Sequence, residues 1–241
     1  VQSILAKSGH INHKYLKESE SDKKAVIVVT ANRGLAGGYN SNITRMIIDE
    51  GFTKENTVVY AVGKKGRELL ERKGYEIKAD YSEAINDPIY KDAKEICDDV
   101  LSAFADGEVG EIYLAYTVFK NTVVHEPQLI RLLPVEADDA AHETDGSEAL
   151  MTYEPSEEEA LDMIIPKYVC SLVYGALIES VASENGARMQ AMDSATSNAE
   201  EMISTLSLKY NRARQASITQ ELTEIIAGAN AVSYTHLRAH E

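Results

Sequence analysis

Between positions 157 and 232 the chain holds a single proline, Pro166, and only three glycines, Gly175, Gly186 and Gly228. Proline and glycine are the residues that most readily end a helix, so a stretch this poor in them is free to remain helical. Apolar residues within it step by three and four: Leu161, Ile165, Tyr168, Leu172 and Ala176, then Met192, Ala195, Ala199, Met202 and Leu206, then Ile218, Leu222, Ile225 and Ala229. That spacing predicts one helix over about 70 residues, on the order of 100 Å long at about 1.5 Å per residue. An ordinary globular helix is far shorter, so the pattern suggests a coiled coil. Between Val181 and Ala199 the seam is mostly Ala, Ser and Met, residues that let a partner helix come close and pack adaptably. The seam slips phase between Leu206 and Tyr210, which predicts an irregular rod rather than a regular supercoil.

The first half of the chain reads differently. Residues 25–30, AVIVVT, form a continuous β-branched run of the kind that lies in a strand buried on both faces. A glycine-rich turn follows, ANRGLAGGYNSN, and then a helical pattern over 43–48. Strands are expected at 58–62, 75–79, 112–118 and 128–134, and helices at 64–73 and 93–104. Strands alternating with helices of this length imply crossover units and an α/β domain with a Rossmann-like, mostly parallel sheet. The last two strands have no helix between them and are expected to form an antiparallel pair at the edge. The resulting division is 1–22, the end of a helix and a connection; 23–135, the α/β domain; 136–156, an acidic connection; 157–232, the long helix; and 233–241, a tail.

Charge narrows the possible partners. Net charge is −15, which disfavours nucleic acid. Residues 1–135 are nearly neutral, with 20 acidic and 18 basic residues, whereas 136–162 hold 11 acidic residues and no Lys or Arg. The acidity is therefore one local block, the mark of a solvated connection. Cys97 and Cys170 show no CxxC spacing and fit a reducing compartment. No apolar run is expected to reach the length of a membrane span. The chain opens at Val1 without an initiator methionine, so the lack of a signal peptide carries little weight.

Catalytic chemistry has little to stand on. The loop Gly34–Leu35–Ala36–Gly37–Gly38 lies between a strand and a helix, where backbone amides bind anions. It matches neither GxxxxGK[ST] nor GxGxxG, and Tyr39, Asn40, Ser41 and Asn42 follow in place of a lysine. Those four suit a tight turn and an N-cap, so Arg33, Gly34, Gly37, Gly38 and Asn40 are read as a structural turn. The six histidines show no metal-ligand spacing, and no GxSxG is present. Glu157, Glu158 and Glu159 open a helix, where negative charge meets the positive end of the dipole. No catalytic residue, metal or cofactor is expected. Lys209, Arg212 and Arg214 form a small basic group suited to acidic loops of a partner.

Two motifs together resemble the gamma subunit of rotary ATP synthases. TANRGLAGGYNSNI, at 30–43, is similar to the family's T-S-D-R-G-L-C-G-G-x-N-S-N-I, with Asn32 in place of Asp and Ala36 in place of Cys. Residues 179–232 resemble its C-terminal signature, through ARMQAMDSATSNAEEMI and LKYNRARQASITQELTEIIAGANAV. The segments QLIRLLP and YEPSEEEALDMIIPKY fit its middle. The resemblance spans about 14–232, and SYTHLRAHE at 233–241 does not fit it and reads as non-native. It implies that the long helix is half of an antiparallel coiled coil whose other half is a long N-terminal helix, of which only the end is expected here. It implies a shaft inside a ring of alternating alpha and beta subunits. The α/β domain would contact the epsilon subunit and the membrane c-ring, on the cytoplasmic face of a bacterial plasma membrane. Arg214 and Gln215, with Lys209 and Arg212 nearby, would contact the catalytic beta subunit. Met189 and Met192, beside Arg188, would face a bearing surface or the missing helix. Nucleotide would be bound by partners alone. The rival reading from the residues is a nucleotide-dependent α/β enzyme with a helical oligomerisation tail; it requires an open anion pocket in the loop after Thr30.

Overall fold

The computed structural model describes residues 13–16, 21–135 and 157–238, with side chains of the last helix described over 159–230. Among the described residues five strands and four helices follow one another: β1 Lys24–Val29, α1 Tyr39–Asp49, β2 Thr57–Val62, α2 Lys64–Arg72, β3 Glu76–Asp80, α3 Tyr90–Ala105, β4 Glu111–Phe119, β5 His125–Leu133 and α4 Glu157–Arg238. Sheet order is β3-β2-β1-β4-β5. The first four strands are parallel and β5 runs antiparallel to β4 as the edge pair.

Burial explains the sequence pattern. Every residue of β2, and all of β1 after Lys24, is buried, which is why these strands are runs of Val, Ile and Ala rather than alternations. Edge strand β3 alternates instead, with Ile77 and Ala79 half-buried and Glu76, Lys78 and Asp80 turned out. Helices α1 and α2 cover one face of the sheet, where Ile43, Ile47 and Leu70 meet Val26, Val28, Val59 and Ala61. Helices α3 and α4 cover the other, where Ile96, Val100, Leu161, Ile165, Val173 and Leu177 meet Ala25, Ile27, Tyr60, Ile112 and Leu114. Successive right-handed crossovers produce this arrangement: two build outward from β1, and the third returns to its other side.

Helix α4 covers the proline-poor stripe, read from the sequence as 157–232, and continues to Arg238, 82 residues in all, with Pro166 inside it. By internal contacts the chain divides into Val1–Ala191 and Met192–Glu241, a division inside α4. In the first unit α4 is amphipathic and docked, with Leu161, Ile165, Val169, Val173, Ala176 and Leu177 buried. Every described residue from Met192 to Asn230 is exposed. One expectation needs correction. A window of α4 between Glu159 and Asn230 is long and apolar enough, by length and composition alone, to cross a membrane. Of that window 39% is buried within the structure, and length and composition alone do not make a helix a membrane span. The acidic stretch 136–156, the tail from 239 and most of 1–20 lie outside the described residues.

Candidate functional site at the switch point of the sheet

In a doubly wound sheet, ligands bind outside the carboxyl ends of the strands where the strand order reverses. Here that point lies between β1 and β4, and residues 30–38 connect β1 to α1 across it. Thr30 is fully buried and locks the connection to the next one. Its Oγ1 donates to the Gly63 carbonyl at 3.2 Å and accepts from the Gly66 amide at 2.9 Å. The Ala31 carbonyl accepts from the Lys65 amide at 3.0 Å, and Asn32 Oδ1 accepts from the Lys64 amide at 2.9 Å. Three consecutive first-turn amides of α2, the groups a helix N-terminus offers to an anion, are thus satisfied from within the chain. Asn32 Nδ2 also donates to the Ser82 carbonyl at 2.7 Å and to Asn86 Oδ1 at 2.9 Å, which ties the β3–α3 connection to the same knot.

The start of α1 differs from the sequence expectation. Gly38 is the N-cap and no side chain caps the helix, so Tyr39, Asn40, Ser41 and Asn42 form its first turn rather than a preceding loop. Asn40 Oδ1 accepts from the Ala31 amide at 2.8 Å, and Ser41 Oγ donates back to the Gly38 carbonyl at 3.0 Å. The turn itself falls on Gly37, at φ 55°. The reason is Tyr39. It is buried, its hydroxyl donates to the Ser180 carbonyl of α4 at 3.0 Å, and burial pushes its ionisation well above the ordinary phenol value. Drawing Tyr39 inward starts the helix there. Arg33, Gly34 and Leu35 are left exposed, with Leu35 in the left-handed region at φ 62°.

Helix α4 fills the rest of the switch point. Ser183 Oγ donates to the Thr117 carbonyl of β4 at 3.1 Å. Ala187 packs on Ala31, Ala36 and Tyr39. Gly186 lies so close to the imidazole of His125 that a Cβ there would sit 2.5 Å from Nε2. Glu184 and Arg188, one turn apart and both partly buried, pair at 2.6 Å beside this contact. The sequence marked Gly186 and the serines only as small residues in a stripe. Their role in admitting the strand ends is set by α4 meeting β4 and β5, which no local pattern reports. Among the described residues, no group of three His, Cys, Asp or Glu is placed to hold a metal. Cys97 and Cys170 are buried free thiols, and burial pushes Cys97 far above the reactive range.

The residues expected to meet partners are distributed along α4. Arg188 is partly buried in its ion pair, Met189 and Met192 are exposed, and Lys209, Arg212, Arg214 and Gln215 are all exposed. The three cations do not share one face. At about 100° per residue Lys209 and Arg212 lie about 60° apart, while Arg214 lies about 160° from Arg212. The exposed apolar stripe turns as well. Met192, Ala195, Ala199, Met202 and Leu206 keep within about 80° of one another, and Ile218, Leu222, Ile225 and Ala229 form a second group about 130° further round. One partner helix running straight along α4 cannot cover both.

With this geometry in place, comparison with known proteins is direct. A family model described as ATP synthase matches residues 1–232. The chain is 65% identical to an ATP synthase gamma chain of Lachnoclostridium phytofermentans, over 97% of its own length and 82% of the relative's. It is 42% identical to an ATP synthase gamma chain of Acetobacterium woodii, described as sodium ion specific, over 95% of its length and 82% of the relative's. Its fold resembles a chain of the Euglena gracilis mitochondrial ATP synthase OSCP/F1/c-ring structure at TM-score 0.65 and 19% identity, covering 93% of this chain and 80% of that one. It also resembles a chain of the Tetrahymena thermophila mitochondrial ATP synthase central stalk and c-ring at TM-score 0.61 and 23% identity, covering 81% of this chain and 85% of that one.

Proposed function

Because the chain belongs to the ATP synthase gamma chain family, we propose that it is the central rotor shaft that couples rotation of a membrane ring to ATP synthesis or hydrolysis in beta subunits, and that it carries no catalytic group itself. One observation carries the second half of this reading. The switch-point crevice, where a nucleotide-dependent α/β enzyme would hold its ligand, is filled by Ser180, Ser183, Gly186 and Ala187 of the chain's own helix. The α2 amides that would face a phosphate are already bonded to residues 30–32. An enzyme with a helical tail would keep that space open.

In this reading a ring of alternating alpha and beta subunits surrounds the exposed part of α4, and the sheet domain meets the epsilon subunit and the c-ring. The complex is peripheral to the membrane on its cytoplasmic side, and ATP and magnesium are held by the partners. An ion gradient drives the ring, and sodium dependence of activity in the assembled complex would identify the ion as the one named for the Acetobacterium relative. The rotation of the apolar stripe between Leu206 and Ile218 makes the shaft unequal around its circumference, which is what makes three surrounding sites unequal at any moment. Arg214 and Gln215 contact the beta subunit, where a guanidinium pairs with carboxylates. The experiment is ATP-driven rotation in the assembled complex with Arg214→Ala and Gln215→Ala. Reduced torque or coupling is expected, and unchanged coupling would reduce these two residues to a solvated face. Turnover of ATP by the purified chain, abolished by changes at Gly34–Gly38, would sink the shaft reading.

A further inference from the structure

We propose that the tip of the β4–β5 hairpin is a bearing point on which the ring of alpha and beta subunits rests as the shaft turns, an inference that depends on the shaft reading. Phe119 is 37% exposed there, Val123 64% and Val124 40%. Exposed apolar groups gathered in one place mark an interaction surface more often than a solvated one. The turn holds them in a fixed geometry. Asn121 Oδ1 accepts from the Val123 amide at 2.9 Å and the Val124 amide at 2.8 Å, and the Lys120 and Asn121 amides donate to the Val124 carbonyl at 3.3 and 3.4 Å. Its charges are satisfied internally, since Lys120 pairs with Glu126 at 2.6 Å. The tip therefore presents Phe119, Val123 and Val124 beside an exposed ion pair of no net charge, unlike the cations further along α4.

Its position points to the occupant. The Phe119 ring packs on His125 at 6.1 Å, and His125 abuts Gly186. The tip thus flanks the last stretch of α4 that is buried against the sheet. Met189, one turn on, is 58% exposed, and from Met192 to Asn230 every described residue is exposed. A ring closed around the exposed part of α4 begins where the buried part ends, and that is beside the hairpin. Apolar contact is non-directional. A valine tip can bear on each alpha–beta pair in turn without a set of ion pairs that must break at every step.

The test uses the intact complex with Val123→Cys in the gamma chain, labelled with a maleimide benzophenone and irradiated. A covalent product with alpha or beta is expected. Asp106→Cys, at the end of α3 in the connection that leads into the other end of β4, is expected to give none. A product with epsilon or c subunits alone overturns the hairpin proposal. Arg214→Cys on the exposed part of α4 separates the two readings. If Arg214→Cys joins alpha or beta and Val123→Cys does not, only the hairpin proposal fails. If neither does, the shaft reading fails with it.

Discussion

Gly63 sits at φ 119°, with the Thr30 carbonyl in the space a Cβ would take, at 2.1 Å. Both the backbone and the neighbour forbid a side chain, so Gly63→Ala should cost about 2–4 kcal/mol, read as a lower midpoint in denaturant unfolding. Thr30→Val keeps the shape and removes both hydrogen bonds, leaving the Gly66 amide and Gly63 carbonyl buried without that partner. A loss of about 1–3 kcal/mol is expected. Asp80 supplies a pH-dependent contribution. Burial raises its pKa, but hydrogen bonds from Ser82 and the charge of Arg67 outweigh this and hold it below the ordinary carboxylate value. A depressed carboxylate stabilises above its unfolded pKa and loses that contribution as pH falls through its folded one. Asp80→Asn should therefore lower the melting temperature at neutral pH, and the difference should begin to shrink below the ordinary carboxylate value of about pH 4 and vanish only below the lower folded pKa.

At the scale of the element, α4 leads two lives. Its first part is held by a core contact face and by close approach to the sheet, and the remainder by its own hydrogen bonds. Leu177→Ala removes a fully buried side chain from the docked part and should cost about 2–5 kcal/mol. Gly186→Ala pushes a methyl into His125, and His125→Ala should relieve it. A double-mutant cycle should show an interaction of about 1 kcal/mol or more, and strict additivity would mean the ring simply swings aside. Amide exchange of the chain alone should divide within α4. Amides of the docked part exchange only with opening of the core, whereas those after Met192, where nothing within the described residues covers the helix, exchange far faster. Uniform protection across 157–230 would show that the exposed stripe is covered.

For the whole molecule, the connection between sequence and function runs through what is not bonded within the chain. Large apolar residues such as Met202, Leu206, Leu222 and Ile225 stand exposed on α4, and that surface is what partners must cover. Much of this was legible in advance. The proline-poor stripe and the Val/Ile runs of β1 and β2 followed from periods of 3.6 and 2, because each element's burial is written in its own residues. The antiparallel edge pair followed from a missing helix between strands. The start of α1 was misread, because Asn40 and Ser41 have cap chemistry while the burial of Tyr39 depends on Ser180, 141 positions away. The basic group looked like one patch because Lys209, Arg212 and Arg214 are neighbours in sequence, and helical geometry sets Arg214 apart.

The sequence by itself determined the elements, their order and the family, since propensity, periodicity and two long motifs are local properties of a chain. Only the tertiary structure decided that the crevice at the switch point is closed. That closure requires a helix from the far end of the chain to bring Ser180, Ser183 and Gly186 against Tyr39, Thr117 and His125. The fit depends on where backbones approach in space, and small residues in a stripe do not say which strand end they admit.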